Sequence, residues 1–169
     1  MKVLLSVVLT LVALFIIFLI FIYSGWYNVS AMNNESGMMK WIFKTVRNNS
    51  IEARLANISV PDLNDSSLIK EGFEHYNEMC ASCHGAPGIE ETELSKGLNP
   101  RAPYLPKIAK YIVPAKLFWA TKNGIRMTGM PAWGKTHSDN KIWAIVAFVK
   151  KLPGMTKNDY DKMRTEFSN

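Results

Sequence analysis

Three residues carry most of the chemical potential of this 169-residue chain: Cys80, Cys83 and His84, within the stretch EMCASCHGAPG from Glu78 to Gly88. The chain has two cysteines in all. Thiols three apart, with an imidazole beside the second, suit four chemistries: a disulfide, a redox-active dithiol, half of a zinc site, or a covalent attachment point for haem. A Cys80–Cys83 disulfide closes so small a loop that it restrains the unfolded chain little. A thioredoxin-like dithiol belongs beside a strand–helix unit, and no strand pattern precedes Cys80. A closed zinc site takes four ligands. His84, His75 or His137 can be joined to the thiols, but a second ligand pair is missing. Cys-x-x-Cys-His is the c-type haem attachment spacing. Positions 80, 83 and 84 are i, i+3 and i+4, so one helical turn sets all three on a single face. Two thiols there can bond to two vinyl groups on one porphyrin edge, with His84 beneath the ring as an axial ligand to iron.

These residues need elements to hold them. VPDLNDSS (60–67) is a boundary, a proline followed by good N-caps. The spacing of Ile69, Phe73, Tyr76 and Cys80 then predicts a helix over Ser67–Met79. Gly72 lies inside it, at a cost of ~1 kcal/mol against Ala, which points to close approach of another helix. Residues 85–106, rich in Gly and Pro, read as mostly loop. Pro114 and Gly124 bracket a short helix, Pro114–Asn123. Residues 124–137 form a second irregular stretch. Ser138 or Asp139 caps the last strong helix, DNKIWAIVAFVKKL, whose Ile142, Ile145, Val146 and Val149 make one apolar stripe before Pro153 ends it. No strand and no repeat stands out. Helices joined by long loops make a poor core unaided, so a cofactor or other staple is expected.

Val3–Tyr23 is uncharged and long enough, at ~1.5 Å per residue, to cross a ~30 Å hydrocarbon core. Its length exceeds the usual apolar region of a cleaved signal peptide, so it reads as a signal-anchor. Trp26 and Tyr27 sit where an interfacial belt belongs, and Lys2 before the span favours the N-terminus inside. A linker comes next. Met38, Ile42 and Val46 then recur at helical spacing, with Ile51, Leu55 and Ile58 resuming the pattern after Asn48–Ser50. This segment reads as an amphipathic helix folded over the main domain. The other reading, a surface for a membrane partner or lipid, fits less well because Lys40, Lys44, Arg47 and Arg54 do not segregate cleanly. Net charge is +6, unevenly spread. Residues 23–95 hold five Lys/Arg and ten Asp/Glu; residues 96–169 hold fourteen and four. Such asymmetry suits docking of charged partners. The lysines are scattered and no nucleic-acid module is present, so nucleic acid is not expected as a partner.

Residues 66–153 resemble a class I cytochrome c domain. The family pattern Gly-x-x-x-aromatic-x-x-x-Cys-x-x-Cys-His is present as Gly72, Tyr76, Cys80, Cys83 and His84. The resemblance implies an all-α, cytochrome c-like haem domain of few helices with long loops, here preceded by one transmembrane helix. It implies one haem c, covalent through Cys80 and Cys83, and a crossing of Gly72 against Phe148 or Trp143. Pro103-Tyr104-Leu105 matches the family's Pro-x-Leu element, so the Pro103 carbonyl is expected to accept a hydrogen bond from His84. The sixth ligand is expected from Gly-Met-Pro-Ala-Trp (129–133) as Met130, with Met127 as core filler. Leu105 and Trp133, with Tyr104, Trp119 and Ile125, are expected to wall the pocket, and Arg101 or Arg126 to meet a propionate. The competing sixth ligand is His137, while His75 is expected to face solvent. The family resemblance places the haem domain on the periplasmic side of a bacterial cytoplasmic membrane. Expected partners are redox proteins such as a quinol-oxidising complex, a dehydrogenase or a terminal oxidase. A haem sensor or peroxidase-like enzyme with an open sixth site is the alternative. The organisation expected is anchor (1–23), linker and amphipathic segment (24–65), cytochrome c domain (66–153) and C-terminal tail (154–169).

Overall fold

A computed structural model describes residues 1–33, 36–89 and 91–167. The chain divides into two compact units, Met1–Asn34 and Glu35–Asn169. The first is helix α1, Lys2–Tyr23, with no buried residue. At 22 residues it is ~33 Å long, a length and composition that fit a membrane anchor.

Short polar side chains and prolines start the helices of the second unit. Ser36 accepts from the Met39 amide at the head of α2, Gly37–Glu52. Asp65 does the same for Ser67 at the head of α3, Ser66–His75, and the Ser67 hydroxyl and amide hold the Asp65 carboxyl below its ordinary pKa. The helical path continues through a π turn, Tyr76–Cys80, into α4, Ala81–His84. Two short helices come after it, α5 (Glu93–Gly97) and α6 (Leu105–Ile108), the latter running into a 3-10 turn at Ala109–Tyr111. Pro114 opens α7, Pro114–Asn123, and Gly124 stops it at φ 64°. A 3-10 turn at Trp133–Lys135 precedes α8, Asp139–Lys151, capped by Ser138, and α9 spans Lys157–Phe167. Among the described residues the fold is all-helical, with one isolated bridge between Ala86 and Ile89.

The core is the crossing of α3 and α8. A Cβ on Gly72 would fall on the Ala144 carbonyl and 3.0 Å from the Phe148 Cβ. The glycine is therefore required by a backbone-to-backbone approach. Phe148 is the expected neighbour; Trp143 is not, and stacks instead on Phe118 of α7 at 4.2 Å between centroids. Every residue from Ile142 to Val149 is buried, because α8 is covered by α3 and α7. Lys150 donates its ammonium to the carbonyls of Ala109 (2.8 Å) and Ile112 (3.0 Å), pinning the end of α6's turn.

Residues 154–169, expected as a tail, contain α9. Its Tyr160 is wholly buried, edge-on to Phe73 at 5.3 Å, and donates to Asn77 Oδ1 at 3.0 Å. Phe167 also meets the Phe73 ring, at 5.8 Å. Six of the eleven residues of α9 are charged, which hid a stripe of Tyr160, Met163 and Phe167 at three- and four-residue spacing. Two smaller differences have the same cause, local pattern against tertiary support. Helix α2 runs through Asn48–Ser50, and α5 forms within a stretch expected to be mostly loop.

Gly72→Ala is expected to destabilise by about 2 kcal/mol through overpacking, although alanine is intrinsically the better helix former by ~1 kcal/mol. Gly97→Ala, with open space around its Cβ position, is expected to be near neutral. Denaturant midpoints of the two variants check this.

Candidate haem-binding site

The motif sits where an extra residue enters the helix. A π turn rotates the residues beyond it relative to a continuous α-helix, and such turns are common at functional sites. Here it ends at Cys80, which then serves as the N-cap of α4; Cys83 and His84 lie within that single turn. Gly85 stops it with φ 71°, and a Cβ there would strike the Tyr104 ring.

So short a helix leaves its carbonyls without intrahelical partners. Hydroxyl groups from elsewhere supply them. Thr92 Oγ1 donates to Ser82 O at 2.5 Å, Ser95 Oγ to Cys83 O at 3.1 Å, Tyr76 Oη to Gly85 O at 2.5 Å, and Tyr104 Oη to Ala86 O at 3.2 Å. Thr92 is itself the N-cap of α5, accepting from the Ser95 amide. Sequence reasoning assigned none of these hydroxyls this role. The N-cap pattern Thr-x-x-Ser was readable, but the carbonyls it serves were not.

His84 Nδ1 lies 3.0 Å from the Pro103 carbonyl. A carbonyl only accepts, so Nδ1 carries the proton and Nε2 keeps its lone pair. Burial lowers the His84 pKa, opposed by the smaller effect of the Pro103 bond, so the imidazole is neutral. Cys80 and Cys83 are both free thiols. Burial pushes the Cys80 pKa up to about 12, with Cys83 adding a lesser push. That is the opposite of the lowered thiol that dithiol exchange requires. Among the described residues, no group of three or more His, Cys, Asp or Glu is arranged to hold a metal ion. Two free thiols and a neutral, oriented imidazole with an open nitrogen are the donor set that haem c takes.

Met130 belongs to a second assembly. Its amide donates to Thr128 Oγ1 (3.1 Å), its carbonyl accepts from the Ile125 amide (3.2 Å), and Thr128 Oγ1 donates to Ile125 O (2.7 Å). A Cβ on Gly124 would sit 2.8 Å from Met130 O and Ala132 N, so the loop closes tightly on a left-handed glycine. Leu98 packs against Gly129, joining this loop to the segment that carries Pro103. Trp133 is half-buried and Leu105 buried, while Pro103 is exposed. Tyr104 stands at the surface, and Trp119 and Ile125 are half-buried.

Three expectations change. Met127 is not core filler: it is 72 % exposed and held at φ 59°. His75 does not simply face solvent. Its ring meets the edge of His137 at 5.2 Å, with Glu71 3.8 Å away. His137 is also bonded to Thr136 Oγ1 at 2.8 Å and sits edge-on to Trp133 at 5.4 Å. Arg101 is paired with Glu91 at 3.5 Å, both largely exposed.

Thr92→Val and Ser95→Ala each leave a part-buried carbonyl unpaired, so each is expected to lower stability by about 1 kcal/mol. Thermal or denaturant unfolding measures it.

Residues 67–149 match the family model described as Cytochrome C oxidase, cbb3-type, subunit III. No curated protein and no solved structure matches the chain. The matched region runs from the start of α3 almost to the end of α8, and includes the Cys80–His84 turn, Pro103 and the Met130 loop. Residues 67–149 are therefore a c-type cytochrome domain, the kind that transfers electrons on haem.

Proposed function

We propose that the chain is a membrane-tethered electron-transfer protein carrying one haem c, either as a carrier or as a fixed subunit of a respiratory complex. The observation that supports this best is the His84–Pro103 bond, which holds a neutral imidazole with Nε2 free beside two free cysteines. In this reading Cys80 and Cys83 would hold the group covalently, and His84 Nε2 and the Met130 sulfur would bind its iron. Haem c, when bound, supplies a centre that gains and loses one electron at a time. The Pro103 carbonyl fixes the His84 ring and raises its basicity. Thr128 and Gly124 hold the Met130 backbone, so the thioether is offered from a constrained loop. Leu105 and Trp133 contribute apolar surface that keeps water away. With His84 and Met130 both engaged in holding the group, the domain would exchange electrons without acting as an enzyme. A methionine–histidine pair holding the group would also favour a raised reduction potential.

Helix α1 is the tether, with the haem domain on the periplasmic side of a bacterial cytoplasmic membrane. Tethering raises the effective concentration of membrane partners. Those partners are redox proteins: a quinol-oxidising complex, a dehydrogenase or a terminal oxidase, the last in keeping with the matched family's description. The fourteen basic residues after residue 95 steer an acidic face toward the domain.

Absorption spectra of the oxidised protein test the ligand set. The weak sulfur-to-iron band at the red end is expected in wild type and Met127→Ala and lost in Met130→Ala. Absence of the band in wild type, with ready carbon monoxide binding after reduction, sinks the closed-site reading in favour of a sensor or enzyme.

A further inference from the structure

Helix α2 has two apolar faces where a surface helix has use for one. Met39 and Phe43 turn partly inward, Ile51 is buried, and Glu52 pairs with Lys116 of α7 at 2.6 Å, so this helix is docked on the haem domain. Met38, Trp41, Ile42, Thr45 and Val46 stand at i, i+3, i+4, i+7 and i+8, one stripe at 3.6 residues per turn. Three of its five positions face away from the core, Met38 at 69 % exposed, Trp41 at 66 % and Val46 at 61 %, while Ile42 and Thr45 between them are half-buried. Apolar side chains exposed together on one helix face mark a candidate interaction surface.

Three observations favour lipid as its occupant. Exposed apolar residues recur along the chain from the end of α1, through Trp26, Tyr27, Val29 and Met32, to Val46. Trp and Tyr are the residue types that settle at headgroup level. The linker from Ser24 to Ser36 spans at most ~45 Å, which keeps the stripe within reach of any bilayer that α1 crosses. Lys44, exposed, borders the stripe beside Trp41, as an interfacial helix places a cation toward anionic headgroups, while Lys40 and Arg47 lie on the opposite face. The three exposed residues offer only ~400 Å², about half the ~800 Å² per partner of a stable protein interface. A helix on an already anchored chain needs far less.

We infer that the outward stripe of α2 lies in the headgroup layer of a bilayer containing anionic lipid. It forms a second membrane contact that holds the haem domain at the surface. The inference rests on reading α1 as a membrane anchor.

The full haem-loaded chain in phosphatidylcholine–phosphatidylglycerol vesicles with brominated acyl chains tests it by tryptophan quenching. Trp41→Phe is expected to remove about half of the lipid-quenchable emission, Trp26 supplying the remainder. If Trp41→Phe leaves that emission unchanged while Trp26→Phe abolishes it, the anchor stands and the α2 inference fails. Protection of Trp41 from iodide in that case would assign the stripe to a protein partner or a second copy, which overturns the inference equally. No quenching by lipid in any variant overturns both the inference and the anchor reading.

Discussion

The close approach of α3 to α8 at Gly72 sets the frame for everything else in the haem domain. Because no side chain intervenes, the Ala144 backbone lies against the helix that leads into Cys80. Phe73 and Tyr76, next on the same face, then meet Phe148 at 5.3 Å each. Tyr76 is wholly buried, and its phenol is pushed above its ordinary pKa by that burial, so it remains a neutral donor. It donates to the Gly85 carbonyl, just past His84. A contact well upstream of His84 thus decides where the motif turn ends.

The site is organised by neutral groups, and this has a physical logic. The carbonyls around α4 are met by hydroxyls of Thr92, Ser95, Tyr76 and Tyr104. The histidine is neutral and the Cys80 thiol is held protonated. Charges are expensive in low dielectric unless paired, and a centre whose own charge changes by one would couple to each of them. Surrounding it with dipoles fixes geometry with little field from full charges. The charged groups nearby, such as Arg101 and Glu91, are paired at the surface.

Much of this was legible in the residues. The Cys-x-x-Cys-His spacing, the interior Gly72 and the caps of α7 and α8 are local signals, and local signals survive folding. The glycine even identified the close crossing, though its partner proved to be Ala144 together with Phe148. What was illegible depends on contacts distant in sequence. Tyr160 reaches Asn77 across 83 positions, and no window on the charged sequence of α9 displays that. The π turn was hidden for a different reason: Tyr76 and Cys80 are equally compatible with a regular helix at four-residue spacing. The fate of Met127 and His137 turned on backbone conformation and ring contacts, neither of which composition encodes.

The order of elements along the chain has a consequence in time. Synthesis proceeds from the N-terminus, so Cys80, Cys83 and His84 emerge well before α8 is complete and longer still before α9. Until then Gly72, Phe73 and Tyr76 have nothing to pack on, and the motif turn lacks the phenol bond that ends it. Cys80 is open to a large reactant in that interval and enclosed afterwards. The buried thiol is thus best reached by whatever must react with it while the polypeptide is unfinished or still unpacked. The final helices then enclose that thiol.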